Sequence, residues 1–170
     1  HALLSRTQVA SRVAEGLLIG VREFYFTGGE PFLHPELLAI LADTLEHAPA
    51  TVLTNGTLFT ARRIEELREL SDQTRFTLEI RVSIDGASER EHDPIRGLGN
   101  FARTLEGVRA LAAAGLLPIV TATQIESEDP AYIANLKADV ADAHEKGIEV
   151  GGYTLMTASR DISPEFNCIS

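Results

Sequence analysis

The chain has 170 residues, of which 44% are hydrophobic, so it can form one folded domain with an apolar core. Its 25 acidic and 15 basic residues give a formal net charge of −10, which disfavours non-specific binding to nucleic acid or to an anionic membrane. A single cysteine, Cys168, excludes an internal disulfide and a metal site made of several thiolates from this chain. With no bilayer-spanning apolar run and no secretion signal, the sequence predicts a cytoplasmic protein.

Short apolar runs alternate with amphipathic stretches along the chain, as in βαβ units with a parallel sheet. A helical stripe from Val9 to Leu18 comes first and ends near Gly20. The predicted strands are Val21 to Thr27, Thr51 to Thr54, Thr77 to Asp85, Leu117 to Thr123 and Ile148 to Leu155. Helices are predicted around Leu37 to Leu45, Ile64 to Leu67, Phe101 to Leu111, with Asn100 as N-cap and Gly115 as the C-terminal cap, and Ile133 to Ala143. The fold class is α/β, with residues 1–170 as a single domain.

The strand Thr77 to Asp85 alternates apolar and polar side chains. Its polar positions are Glu79, Arg81, Ser83 and Asp85. Because side chains alternate across a strand, these four share one face. That face is either the solvated side of an open sheet or the interior of a barrel that holds a polar ligand. If Glu79 and Arg81 pair with each other, their substitution affects stability rather than ligand binding.

The first predicted strand ends in a glycine-rich loop, Thr27-Gly28-Gly29-Glu30-Pro31. Ligands collect at the carboxyl ends of parallel strands. The two glycines leave backbone groups unshielded, and bare carbonyls together with Glu30 offer acceptors to an ammonium group. A plain strand-to-helix turn is the alternative interpretation.

The next two strands also end in polar loops. Thr54-Asn55-Gly56-Thr57 follows the second strand, and the helical pattern after it argues against a hairpin. Ser83-Ile84-Asp85-Gly86 follows the third strand, and a loop from Glu91 to Asn100 comes next. Arg96 in that loop can pair with a carboxylate.

These motifs, in this order and spacing, resemble those of the radical S-adenosylmethionine (radical SAM) superfamily, whose (βα)6 partial barrels carry GGEP, TNG and SIDG motifs after successive strands. The run His92-Asp93-Pro94-Ile95-Arg96-Gly97, followed by Gly99-Asn100-Phe101, resembles the H-D-x-x-R-G loop of the peptide- and protein-maturing branches with a SPASM extension. The resemblance extends from about Phe24 to Thr121. It implies a (βα)6 core lacking its first strand, in an enzyme that cleaves S-adenosylmethionine reductively with a [4Fe-4S] cluster and modifies a peptide or protein.

The resemblance also implies a set of cofactor-binding residues. Gly28, Gly29 and Glu30 would receive the methionine amino group, Ser83 and Asp85 would face the ribose and methionine portion, and Arg96 would pair with the carboxylate. The whole predicted set is Gly28, Gly29, Glu30, Pro31, Thr54, Asn55, Ser83, Asp85 and Arg96. No catalytic residue and no metal ligand is assigned, although His34 with Glu36 and the run Glu91 to Asp93 contain ligand-type side chains.

The sequence departs from the family pattern at two places. It has no CxxxCxxC motif for the cluster, so we expect a truncated chain that is inactive alone and unstable or self-associating at an exposed strand edge. Residues 125–170 are atypical, and Asp139 to Tyr153 weakly resembles a step of an α-galactosidase-like (βα)8 barrel. Two alternative functions stay open: a non-catalytic barrel remnant that binds a small zwitterion or a partner, and a glycosidase-type fragment with Glu30 and Asp85 as the carboxylates.

Overall fold

The computed structural model describes residues 3–124 and 153–157. Its strands are β1 (Phe24–Phe26), β2 (Ala50–Thr54), β3 (Leu78–Ile84), β4 (Ile119–Gln124) and β5 (Tyr153–Thr157). They form one sheet in which every neighbouring pair is parallel and the spatial order follows the chain order. The predicted parallel α/β fold is therefore confirmed.

One helix precedes the first strand, and the other described helices lie between consecutive strands. The helices are α1 (Arg6–Leu18), a short 3-10 turn (Pro31–Leu33), α2 (Leu37–Leu45), α3 (Ala61–Gln73), α4 (Glu89–Arg96) and α5 (Asn100–Ala113). The predicted helix Ile133 to Ala143 and the segment that resembles a glycosidase barrel lie outside the described residues. Within the described ranges, no helix has the length and apolar character needed to cross a bilayer.

The first strand and the segment after the third strand differ most from the prediction. The first strand covers three residues rather than Val21 to Thr27, because the N–H of Val21 caps α1 by donating to the Gly16 carbonyl over 2.9 Å. The first part of the predicted loop from Glu91 to Asn100 belongs to α4, although Pro94 lies inside that helix. Acidic residues in the first turn and Arg96 in the last complement the helix dipole and favour this helix.

The start of α5 also differs from the prediction. Its N-cap is Gly99, and Asn100 is the first helical residue. The capping acceptor is Asp93 of α4, whose carboxylate receives the N–H groups of Gly99 at 2.5 Å and Phe101 at 2.9 Å. A carboxylate from the preceding helix thus replaces the local amide that the sequence suggests. At the other end, Gly115 adopts φ +78° and closes the helix as predicted.

One face of the sheet packs against the helices and forms the core. Val52, Val82, Leu41, Leu67 and Leu111 are fully or almost fully buried there. In β3 the apolar side chains are buried and the polar ones only partly so, which confirms the predicted alternation.

The other face of β3 carries an ion pair. Arg81 Nε lies 2.5 Å from Glu79 Oε1, and both side chains are about one-third exposed (34% and 29%). The Arg81 guanidinium also lies over the ring of Tyr25, 5.5 Å from its centre. The two residues therefore pair with each other along this face.

Candidate functional site

The exits of β1, β2 and β3 open at one edge of the sheet. In the strand register Phe26 stands beside Val52, and Thr54 beside Val82. Because the strands are parallel neighbours, their carboxyl ends lie side by side. The loops that carry the predicted site residues thus converge at this edge.

Glu30 joins the first two exits. It is the N-cap of the 3-10 turn, where its carboxylate accepts the N–H of Phe32 at 3.1 Å. The same carboxylate accepts the Thr54 hydroxyl at 2.7 Å and the backbone N–H of Asn55 at 2.8 Å. Three donors on one carboxylate hold the loop after β1 against the loop after β2. Pro31, at the start of the 3-10 turn, has its φ fixed by the pyrrolidine ring.

The loop after β2 is organised by its own side chains. Asn55 Oδ1 accepts the N–H of Thr57 at 2.9 Å and its hydroxyl at 2.7 Å. Thr104 of α5 donates its hydroxyl to the Asn55 carbonyl over 2.8 Å. The loop leads into α3, with Thr60 as N-cap, so the segment is a strand-to-helix connection and not a hairpin.

Gly28 and Gly29 form the open part of the edge. Their backbone groups take part in no hydrogen bond with the rest of the described chain. A Cβ placed on either glycine would have no atom of another described residue within 4 Å, apart from its two neighbours along the chain. Unlike Glu30, these two residues present bare carbonyl and N–H groups beside free space.

The loop after β3 is held by α4. Asp85 is 4% exposed and forms an ion pair with Arg96, whose side chain is 37% exposed. His92 Nδ1 accepts the backbone N–H of Asp85 at 3.0 Å. Ser83, one position before the strand ends, lies half-buried on the polar face of β3. Arg96, predicted as a ligand for a carboxylate, thus contacts a carboxylate of the protein itself.

Two titratable groups around this loop have shifted pKa values. Burial lowers the pKa of His92; the charges of Asp85 and Asp93 oppose that change and Arg96 adds to it. The N–H of Phe101, followed by that of Gly99, lowers the pKa of the partly buried Asp93. Both shifts favour the state in which these side chains accept hydrogen bonds, that is, a neutral His92 and an ionised Asp93.

The side chain of His34, which is of a type that can bind a metal, forms hydrogen bonds within the protein. His34 Nδ1 accepts the N–H of Glu36 at 3.1 Å, and Nε2 lies 2.8 Å from the carbonyl oxygen of Leu4. The ring thereby connects the residues before α1 with the segment after the 3-10 turn. In the part of the chain that the structure describes, no three His, Cys, Asp or Glu side chains are grouped as metal ligands.

An apolar cleft of about 470 Å³ lies elsewhere, between α1 and α2. Val9, Val13, Leu17, Ile40 and Thr44 are among the residues that line it. None of its lining residues belongs to a strand or to a loop that follows one. The cleft is therefore separate from the polar edge of the sheet.

Comparison with known proteins identifies the family. Residues 2–126 match the model of the radical SAM superfamily. The chain is 39% identical over 98 residues to the AdoMet-dependent heme synthase of Methanosarcina barkeri, covering 56% of this chain and 27% of that protein. It is 35% identical over 122 residues to the GTP 3',8-cyclase of Mycolicibacterium smegmatis, covering 69% of this chain and 32% of that protein. The chain spans about a third of the length of these curated relatives.

The fold agrees with this result. The solved structure "Native anSMEcpe with bound AdoMet and Kp18Cys peptide" matches with a TM-score of 0.70 at 17% identity, over 94% of this chain and 44% of that one. The chain belongs to the radical SAM superfamily, a class of enzymes that use S-adenosylmethionine and a [4Fe-4S] cluster.

The residues of this chain fit S-adenosylmethionine but not the [4Fe-4S] cluster. Free backbone groups at Gly28 and Gly29, together with space beside them, suit the polar head of S-adenosylmethionine. A [4Fe-4S] cluster needs several thiolates, and the 170 residues contain only Cys168, which lies outside the described residues. The cluster therefore cannot be held by the residues of this chain alone.

Proposed function

We propose that this chain forms the S-adenosylmethionine-binding part of a radical SAM enzyme. The observation that carries the proposal is the Glu30 network, which joins two strand exits and leaves the backbone of Gly28 and Gly29 bare beside them. Enzymes of this superfamily cleave S-adenosylmethionine reductively.

An amino-acid zwitterion has an ammonium group at one end and a carboxylate at the other, so its two ends bind different protein groups. In the proposed site, the carbonyls of Gly28 and Gly29 accept hydrogen bonds from the methionine amino group, and Glu30 supplies negative charge close by. Thr54, Asn55 and Pro31 complete this part of the site and fix the shape of the two loops through their bonds to and around Glu30.

The third exit supplies the remaining contacts. Ser83 and Asp85 face the ribose and methionine portion. Arg96 is held at the edge of the site by Asp85, where its exposed guanidinium can also attract the carboxylate of the ligand.

The proposed substrate is a peptide or a protein. The H-D-x-x-R-G segment from His92 to Gly97 supports this, as does the fold shared with a protein solved in complex with peptides. A small-molecule substrate is the second candidate, because the relatives with 39% and 35% identity are named for heme synthesis and GTP cyclisation. To distinguish the two, the protein is expressed from its whole coding frame and incubated with candidate peptides and small molecules. Mass spectrometry then shows which of them is modified.

Isothermal titration calorimetry with S-adenosylmethionine tests the binding site. Glu30→Ala is expected to reduce the affinity markedly, since it removes the charge and releases the two loops. Glu69→Ala is the matched control, because Glu69 is exposed on α3 away from the strand exits. Unchanged affinity in Glu30→Ala, or equal losses in both variants, would contradict the proposed site.

The cluster requires a separate experiment. Anaerobic reconstitution of the 170-residue chain with iron and sulfide is expected to leave it colourless, since one cysteine cannot ligate a [4Fe-4S] cluster. Reading the coding frame before His1 then discriminates between the enzyme and a non-catalytic remnant: a CxxxCxxC motif supports the former. The expected cytoplasmic location stays a prediction.

A further inference from the structure

His92 is an almost fully buried histidine that the proposed chemistry does not use. It is 1% exposed, lies within α4, and packs near Phe101 of α5 with 5.7 Å between ring centres. Its Nδ1 accepts the backbone N–H of Asp85 at 3.0 Å. An acceptor nitrogen carries no proton, so the ring is neutral with its proton on Nε2.

The contact of His92 is one of three by which α4 holds the loop after β3. Glu91 accepts the N–H of Ala87 at 2.8 Å, and Arg96 pairs with the Asp85 side chain. Among these three α4 residues, His92 alone is buried. Loss of its acceptor would remove a buried hydrogen bond from the backbone N–H of Asp85, whereas the contacts made by Glu91 and Arg96 are only partly buried.

We propose that His92 is a positioning residue: as a neutral acceptor it fixes the backbone of Asp85, and so orients Ser83 and Asp85 toward S-adenosylmethionine. The inference rests on the proposed function, because it assigns a role within that binding site. A protonated imidazole donates from both nitrogens and cannot accept the N–H of Asp85. The affinity for S-adenosylmethionine therefore depends on the protonation of His92.

The direction of this pH dependence follows from the surroundings of the ring. Among the described residues, the charged groups that act on it are Asp85 after β3, and Asp93 and Arg96 on α4, while α5 contributes the uncharged Phe101. Burial is the largest influence and lowers the pKa of His92 below its ordinary value of about 6.5. Affinity is thus constant above about pH 6.5 and falls as the pH drops toward the lowered pKa.

A pair of variants separates the acceptor from the volume of the ring. His92→Asn places an amide oxygen near the position of Nδ1, and His92→Phe fills the space without an acceptor. We expect His92→Phe to bind S-adenosylmethionine roughly tenfold more weakly by calorimetry at pH 7.5, and His92→Asn to recover most of that loss. His47→Phe, at an exposed histidine after α2, is the control and keeps wild-type affinity.

Two measurements do not need the cofactor. Two-bond ¹H–¹⁵N correlation is expected to show His92 as the Nε2–H tautomer, and hydrogen exchange of the Asp85 amide is expected to be fast only in His92→Phe. A protonated Nδ1, or an equally protected Asp85 amide in His92→Phe, would overturn the inference. So would equal affinity in the Phe and Asn variants. Failure of the wild-type chain to bind S-adenosylmethionine refutes the proposed function instead, and these spectra still decide the role of His92.

Discussion

Thr54 donates its hydroxyl hydrogen to the carboxylate of Glu30 over 2.7 Å, across the boundary between two neighbouring strand exits. The same hydroxyl oxygen accepts the N–H of Gly56 at 3.1 Å. One buried threonine thus connects the glycine-rich loop after β1 with the turn after β2. This connection turns two separate loops into one surface.

Thr54→Val tests that connection, because valine has nearly the same shape but neither donates nor accepts a hydrogen bond. Thr54 is 3% exposed, so its partners would lose hydrogen bonds in a buried place. We expect the free energy of unfolding to fall by about 1 to 2 kcal/mol in urea denaturation. Thr7→Val, at an exposed position of α1, serves as the control. A variant as stable as the wild type would mean that the Thr54 bond does not hold the loops.

Alanine at Gly29 is predicted to weaken ligand binding, whereas alanine at Gly107 is predicted to reduce stability. At Gly29 a methyl group meets nothing, so Gly29→Ala is expected to keep its stability within about 0.5 kcal/mol but to bind S-adenosylmethionine roughly tenfold more weakly. At Gly107 a methyl group collides with the carbonyl oxygen of Gly56, so Gly107→Ala is expected to lose about 3 kcal/mol. Thermal melts and calorimetry on both variants provide the comparison. Wild-type affinity in Gly29→Ala would remove the bare loop from the binding site.

The pair Glu79 and Arg81 is expected to contribute to stability and not to ligand binding. Both side chains are partly exposed, so solvent screening limits the pair to less than about 1 kcal/mol. A double-mutant cycle with Glu79→Gln and Arg81→Gln measures the coupling. If either single variant changed the affinity for S-adenosylmethionine while its melting temperature stayed constant, this face would be part of the binding site.

Asp93 links stability to acidic pH. Its carboxylate accepts the N–H groups that begin α5, and these lower its pKa. A lowered pKa in the folded state means that the contribution is present above the ordinary value of about 3.9 and is lost as the pH falls below it. The difference in melting temperature between wild type and Asp93→Asn is therefore expected to shrink from pH 6 to pH 3. Asp72→Asn, on α3, is the control, and a constant difference for Asp93→Asn would contradict the capping role.

The sequence predicts the sheet well, for a physical reason. Alternation in β3 and the glycines after β1, β2 and β3 are local signals, and the structure confirms the parallel sheet and the alternation that they indicate. The role of α4 is harder to predict, since Pro94 suggests a break and the helix is stabilised by contacts made by Glu91, His92 and Arg96 with the loop after β3.

The use of individual site residues is the least predictable part. Glu30 is recognisable as a carboxylate in the correct loop, but its bonds to Thr54 and Asn55 span more than twenty residues and depend on strand packing. His92 lies in a segment that resembles a motif of a known family. No local pattern indicates that its Nδ1 accepts the backbone N–H of Asp85. These roles arise from tertiary contacts, so a local sequence pattern does not predict them.

In the proposed function, the loops after β1, β2 and β3 form one binding surface for S-adenosylmethionine. Titration of the ¹⁵N-labelled chain with S-adenosylmethionine, followed by amide chemical shifts, tests it most directly. We expect the shifts to change at Gly28 and Gly29, at Asn55 and at Asp85, with little change along α1. Absence of saturable changes, or changes confined to the cleft between α1 and α2, would contradict the account.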